Sequence, residues 1–179
     1  MKTVAICDYG AGNVHSVAVA FRRLGAELVD DVRSADVAVL PGVGSAASAM
    51  AGLRERGLDD ALRERFDAGR PILGICLGLQ LALEESEEGG GVPCLGFVPG
   101  RARRLRGGRV PRIGWAVVEP EGDAFYFAHS YCAETPAVTA TSEGVVAAAA
   151  AGSFLGVQFH PEKSGAAGAR FLKRCLSPA

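Results

Sequence analysis

The residues with the clearest chemical potential are a cysteine and a histidine set 84 positions apart. Cys76 lies in Gly74-Ile75-Cys76-Leu77-Gly78, a G-x-C-x-G pattern that follows the apolar run Ile72–Ile75 and precedes a helical pattern. This is the cysteine form of a nucleophile elbow, a tight strained turn that lifts the reactive atom out of a sheet. Side chains two residues either side would strike the neighbouring strand and helix, which explains the glycines. The turn sets the sulfur at a helix N-terminus, where a thiolate is favoured, and aims the Leu77 amide at a developing oxyanion. A buried structural cysteine with incidental glycines would satisfy the same pentapeptide.

An activated cysteine needs a base. The chain has three histidines: His15, His129 and His160. His15 falls in the first helical pattern. His129 follows the aromatic run Phe125–Phe127. His160 ends the run Leu155–Phe159, and Pro161 biases it toward extended backbone. Residues two apart on extended chain point the same way, so Glu162 is placed to hold the His160 ring in one tautomer. The Gly-rich turn Pro41-Gly42-Val43-Gly44 offers bare amides to an anion. It would face Cys76 if the strands preceding the two were neighbours.

These groups need a scaffold. Val4–Cys7, Val37–Leu40 and Ile72–Ile75 are continuous apolar runs, each closed by a Gly-containing turn. Between them, Val14, Val17, Ala18, Ala20, Phe21 and Leu24 recur at helical spacing, as do Leu53, Leu58, Leu62 and Phe66 up to Gly69. A third helix is expected from Leu77 to Glu85 and a last one from about Ala166 to Leu176. Alternating buried strands and helices predict an open, largely parallel α/β sheet flanked by helices. Short β-like runs between Phe97 and Phe159 predict antiparallel strands that return to it. The chain, 1–179, reads as a single domain.

Composition limits the function. Nineteen basic and twenty acidic residues leave a formal net charge of -1, with 49% hydrophobic residues. This balance does not point to nucleic acid or an anionic membrane. No apolar run is long enough to span a bilayer, and the N-terminus turns polar too early for a secretory signal; a cytoplasmic protein is expected. Five cysteines without CxxC spacing argue against a disulfide framework or a metal site, and no cofactor is implied. Arg101, Arg103, Arg104, Arg106, Arg109 and Arg112 form a local basic bias. Without interleaved aromatics, this reads as a solvated or partner-contacting hairpin face rather than a nucleic-acid site.

Taken together, the motifs resemble the class I glutamine amidotransferases. The segments are Asp8–Asn13 with Ser16-Val17, Leu40–Gly44 with Ala49-Met50, Leu73–Gln80, Gly114-Trp115, Ala128–Tyr131 and Gly156–Gly165. They are most similar to the branch supplying ammonia to imidazole glycerol phosphate synthase in histidine biosynthesis. The resemblance implies that Cys76 attacks the side-chain amide of glutamine while His160, aided by Glu162, moves protons. It implies an oxyanion held by Leu77 and an amide of Val43 or Gly44. Gln80 and Glu88 would grip the amino-acid end, and His129, Ser130 and Tyr131 would line the pocket. Asn13, Trp115 and Lys163 would face a (β/α)8-barrel cyclase subunit, to which the ammonia passes, forming a heterodimer. The sequence departs from that pattern at Arg112-Ile113, where His-Met is frequent, at Leu79, where Met is common, and in shortened segments near Asp31–Arg33 and between Trp115 and Phe125. A cysteine hydrolase of the same fold class, a glutaminase for another synthase and a catalytically silent binding subunit are the competing readings.

Overall fold

The computed structural model describes residues 1–10 and 13–177, so Ala11 and Gly12 of the Asp8–Asn13 motif lie outside the described residues. The first half alternates strand and helix: β1 (Thr3–Ile6), α1 (Val14–Arg23), β2 (Glu27–Val29), β3 (Val37–Leu40), α2 (Ala46–Glu55), α3 (Leu58–Asp67), β4 (Ile72–Ile75) and α4 (Leu77–Leu81). The second half is strand-rich: β5 (Glu85–Ser86), β6 (Val92–Pro93), β7 (Arg101–Arg104), β8 (Arg112–Val118), β9 (Asp123–His129), β10 (Tyr131–Glu134), β11 (Val138–Ser142), β12 (Val145–Ala151) and β13 (Phe154–Val157), closed by α5 (Gly165–Cys175).

The main sheet has seven strands in the order β11-β12-β13-β4-β3-β1-β2. From β13 to β2 every pair is parallel, and β11, β12 and β13 are antiparallel neighbours. Successive side chains of a strand point to opposite faces. Val37 and Val39 accordingly join one apolar layer with Phe21 of α1 and Phe171 and Leu172 of α5. Ala38 and Leu40 join the other, with Met50, Leu53 and Leu62 of α2 and α3. This double burial makes the parallel strands read as unbroken apolar runs.

Four local expectations are corrected. The strand β2 was not anticipated: only three residues long, half exposed at the sheet edge, it carries little apolar signal. The helical stretch ending at Gly69 is two helices, because Gly57 adopts φ +65°, a left-handed conformation that ends one helix and starts the next. The helix expected to reach Glu85 stops at Leu81, and Glu85-Ser86 pair with β6 and β7 instead. The later antiparallel runs do not all return to the main sheet: β10, β7, β5 and β6 form a four-stranded sheet, and β8 and β9 a separate hairpin. The run of five alanines, Ala147–Ala151, reflects packing, since Ala147 and Ala149 are fully buried within β12.

Candidate active site

Three parallel strands deliver the predicted chemistry to one sheet edge. Strand β4 lies between β3 and β13, with Gly74 in register with Leu40 on one side and Gly156 on the other. The chain leaving β3 forms the Pro41–Gly44 turn, that leaving β4 carries Cys76, and that leaving β13 carries His160. The carboxyl ends of neighbouring parallel strands are where open α/β sheets place their ligands.

The elbow is strained. Cys76 has φ 54° and ψ -107°, a conformation non-glycine residues adopt only when their surroundings enforce it. The enforcement is steric. A Cβ on Gly78 would stand 1.9 Å from the Leu40 carbonyl oxygen, and one on Gly74 2.6 Å from the Phe154 ring. Only glycine lets α4 settle this closely on the sheet. The Pro41–Gly44 turn is seated as tightly: a Cβ on Gly42 would lie 2.5 Å from Leu77 Cβ. The buried Tyr9 hydroxyl donates to the Pro41 carbonyl at 2.7 Å and fixes the near end of that turn. Gly44, at φ +96°, and Val43 then face the same cleft as Cys76 and Leu77.

His160 is 2% exposed, and its Nδ1 lies 2.8 Å from Glu162 Oε1. The backbone route differs from the one expected. Only His160 is extended; Glu162 sits in a short 3-10 turn, Pro161–Lys163, which curls its carboxylate back onto the ring. The His160 amide donates to Tyr126 O at 2.8 Å, and Ser164 Oγ donates to His160 O at 2.6 Å while accepting from the Tyr126 amide. These bonds fasten the turn to β9. Asn13 Nδ2 also donates to Glu162 Oε1, at 3.4 Å. Burial lowers the His160 pKa, but Cys76 and Glu162 outweigh it and push it up to about 9.

Beside Cys76 is a cleft of about 320 Å³ lined by Val43, Gly44, Leu77, Gln80, Glu88, His129, Ser130 and Tyr131, together with Pro111, Ile113 and Ala128. Every residue expected in the oxyanion and substrate groups reaches it. Glu88 has a partner in the fold itself: its Oε2 accepts from the Ala46 amide at 2.7 Å and so caps α2. Of the residues expected to face a partner, Trp115 is 60% exposed and Lys163 is exposed, whereas Asn13 is half-buried against Glu162. Of the six arginines, Arg101, Arg103 and Arg112 are paired with Glu85, with Glu87 and Glu134, and with Glu143, which offsets part of the basic bias. Among the described residues, no helix is long and apolar enough to cross a membrane.

Residues 5–178 match the family described as glutamine amidotransferase class-I. The chain is 45% identical over 195 residues to imidazole glycerol phosphate synthase subunit HisH of Symbiobacterium thermophilum, covering 96% of this chain and 92% of that protein. It is 45% identical over 196 residues to the HisH subunit of Moorella thermoacetica, covering 97% and 93%. The chain belongs to the class I glutamine amidotransferases, in their HisH branch. A crystal structure of a glutamine amidotransferase superimposes with TM-score 0.80 at 22% identity, covering 97% of this chain and 96% of the other. The structure of PurLQS from Thermotoga maritima does so at 0.73 and 16%, covering 98% of each. These two share the fold.

In this amidotransferase the sequence reading overlooked Gln158. It is fully buried and donates through Nε2 to Cys76 Sγ at 3.6 Å, while its Oε1 accepts from Gln80 Nε2 at 3.1 Å. A glutamine between Val157 and Phe159, just past the buried strand β13, breaks the apolar pattern, and that break was the available signal. Ser164, the clasp between His160 and Tyr126, left no comparable trace.

Proposed function

We propose that the chain is the glutaminase subunit of an imidazole glycerol phosphate synthase, with Cys76, His160 and Glu162 as its catalytic triad. The observation that carries this reading is the strained Cys76 elbow beside a buried His160 whose ring is held by a buried carboxylate. The names of the HisH relatives supply the pathway.

In the reading, Cys76 Sγ attacks the glutamine side-chain carbonyl. The Leu77 amide and an amide of the Val43–Gly44 segment receive the oxyanion. His160 gives its proton to the departing nitrogen; the C–N bond breaks, ammonia leaves and a γ-glutamyl thioester remains. The acylated sulfur no longer serves as a partner for the His160 ring. The neutral ring then takes a proton from water, which attacks the thioester, releases glutamate and restores the cysteine. One residue thus serves as acid and then as base. Glu162 keeps Nε2 directed at the reacting atoms through its bond to Nδ1. Gln80 and Glu88 bind the amino-acid end of the substrate, and His129, Ser130 and Tyr131 complete the pocket.

The ammonia passes to a (β/α)8-barrel cyclase subunit. The exposed face of β8 supports a docking surface, since Ile113, Trp115 and Val117 project side by side at 64, 60 and 47% exposure. Ile113 also lines the cleft, so this apolar stripe begins at the mouth of the site. Asn13 and Lys163 complete the partner-facing group. Soluble biosynthetic chemistry fits a cytoplasmic location, and the whole chain acts as one amidotransferase domain.

The test is glutamate release from glutamine, with and without the cyclase subunit and its ribonucleotide substrate. Strong stimulation by the pair is expected. Hydrolysis indifferent to the cyclase would assign the chain to another synthase, and none under any condition would overturn the triad.

A further inference from the structure

Arg112 is a largely buried charge for which the chemistry above has no use. It opens β8, and its side chain is 16% exposed. Its Nη2 donates to Ser142 Oγ and to Glu143 Oε2, each at 2.8 Å, which ties it to the turn between β11 and β12. Its guanidinium carbon lies 4.2 Å over the centre of the Phe127 ring. Its Nη1 is buried without a hydrogen-bond partner among the described residues.

Directly across the β8–β9 ladder stands His129. This residue is 5% exposed, and its Nδ1 lies 2.9 Å from the Tyr131 carbonyl oxygen. A carbonyl only accepts, so Nδ1 carries the proton and Nε2 offers a lone pair. Nε2 too is buried without a partner among the described residues. Opposed residues of an antiparallel pair bring their Cβ atoms to about 5 Å. The ladder therefore sets the two side chains on one face of the hairpin, each with a buried nitrogen, one a donor and one an acceptor, that no hydrogen bond in this structure uses.

We propose that Arg112 is a positioning residue of the glutamine pocket: a small turn of its guanidinium brings Nη1 to donate to His129 Nε2 and locks His129 as the neutral Nδ1–H tautomer. The proposal rests on the glutaminase reading and extends it. The locked ring holds the Tyr131 carbonyl, which also accepts from Gln80 Nε2 at 2.9 Å. Gln80 donates onward to Gln158, and Gln158 to Cys76 Sγ. With that bond made, a single run of hydrogen bonds leads from surface Glu143 to the nucleophile, and Arg112 is the link between the turn and the pocket.

The charges around His129 fit a neutral ring. Arg112 approaches from β8 and His160 from the turn after β13, and Cys76 and Glu88 line the same cleft. Burial, countered by the Tyr131 carbonyl and reinforced by Arg112 and His160, pulls the His129 pKa down to about 4. A protonated ring would turn Nε2 into a donor facing a donor.

The experiment uses the chain in complex with its cyclase. Arg112→Met and Arg112→Lys are assayed for glutamate release from pH 5.5 to 9, and the histidine ring nitrogens of the wild type are followed by 15N NMR. The wild type should show His129 with Nδ1 protonated and Nε2 bare, without titrating across that range. Arg112→Met should raise KM for glutamine roughly tenfold, the worth of one charge-assisted hydrogen bond, with the deficit growing below about pH 6.5 as the released ring protonates. Arg112→Lys, which keeps a donor and a charge, should recover part of both. An unchanged KM and pH profile in Arg112→Met, a loss of equal factor at every pH, or an Nε2–H tautomer in the wild type would each overturn the proposal. If the variants do not fold, the wild-type Nε2 shift still decides, because a ring nitrogen that accepts a hydrogen bond resonates upfield of a free one. Failure of the wild type to hydrolyse glutamine would sink the glutaminase reading alone, because the ring nitrogens report the lock without turnover.

Discussion

His160 Nδ1 and Glu162 Oε1 lie 2.8 Å apart, and both side chains are nearly sealed from solvent, at 3 and 1% exposure. The carboxylate has little besides the ring to balance its charge: Asn13 donates to the same oxygen, and Oε2 is buried without a hydrogen-bond partner among the described residues. A buried carboxylate held in this way favours the imidazolium strongly and fixes the direction of the ring's other nitrogen.

Replacing Glu162 by Gln should therefore lower kcat on the order of 10²- to 10⁴-fold with little change in KM. It should also move the alkaline limb of the kcat/KM profile downward, because Glu162 helps raise the His160 pKa and its charge is lost. Steady-state kinetics between pH 6 and 10 check both. A variant with normal turnover would remove Glu162 from the triad.

Cys76→Ala should abolish glutamine-dependent synthesis while ammonium salts still support the cyclase reaction in the assembled complex. The variant should fold, since replacing a sulfur by hydrogen in a side chain this small removes little packing. Failure of ammonium to rescue would contradict the division of labour between the two subunits.

Gly168 lies where α5 meets the triad turn, and a Cβ there would stand 1.9 Å from the Pro161 carbonyl oxygen. Gly168→Ala should destabilise the fold by about 3 kcal/mol. It should also lower kcat, because Pro161 separates His160 from Glu162 and cannot shift without moving both. Gly25→Ala is the control: nothing lies within 4 Å of a Cβ there, although φ +79° leaves a conformational cost. It should lose stability without a selective loss of kcat. Urea denaturation and kinetics on the two variants separate the effects.

Trp115→Ala should weaken association with the cyclase about 30-fold, the scale of an aromatic hot spot. It should leave the stability of the isolated chain nearly unchanged, since the side chain is mostly exposed and packs edge-on against Tyr126 alone among the aromatic rings. Titration calorimetry and thermal melts provide the two readouts, and unchanged affinity would place the docking face elsewhere.

Stability should peak near pH 6.5. His129 has its folded pKa lowered from 6.5 to about 4, so the folded state binds fewer protons than the unfolded one in that window. Stability is then lost as pH falls through it, by on the order of 3 kcal/mol. His160 has its folded pKa raised from 6.5 to about 9, so its contribution is complete below 6.5 and lost as pH rises through 9. Burial of Cys94 and Cys175, raised to about 11, extends the alkaline decline. Urea midpoints at pH 5, 6.5 and 8.5 test the curve, and His129→Gln should flatten its acid side.

The sequence by itself determined the elements around the site and the identity of most of its groups. Strands buried on both faces leave unbroken apolar runs, and an elbow this tight leaves glycines at 74 and 78, since any side chain there meets backbone. These are local signals. The errors arose where the local signal was weak or ambiguous: the short edge strand Glu27–Val29, the Gly57 break inside an otherwise helical pattern, and the early end of α4 at Leu81. Only the tertiary structure decided that β13, some 80 residues after β4 in sequence, lies beside it and brings His160 to Cys76. It alone opposed Arg112 to His129, set Gln158 under the sulfur and tied Glu88 to α2. Periodicity fixes which face of an element is apolar; it does not fix strand order or register, and distances between side chains remote in sequence follow from those.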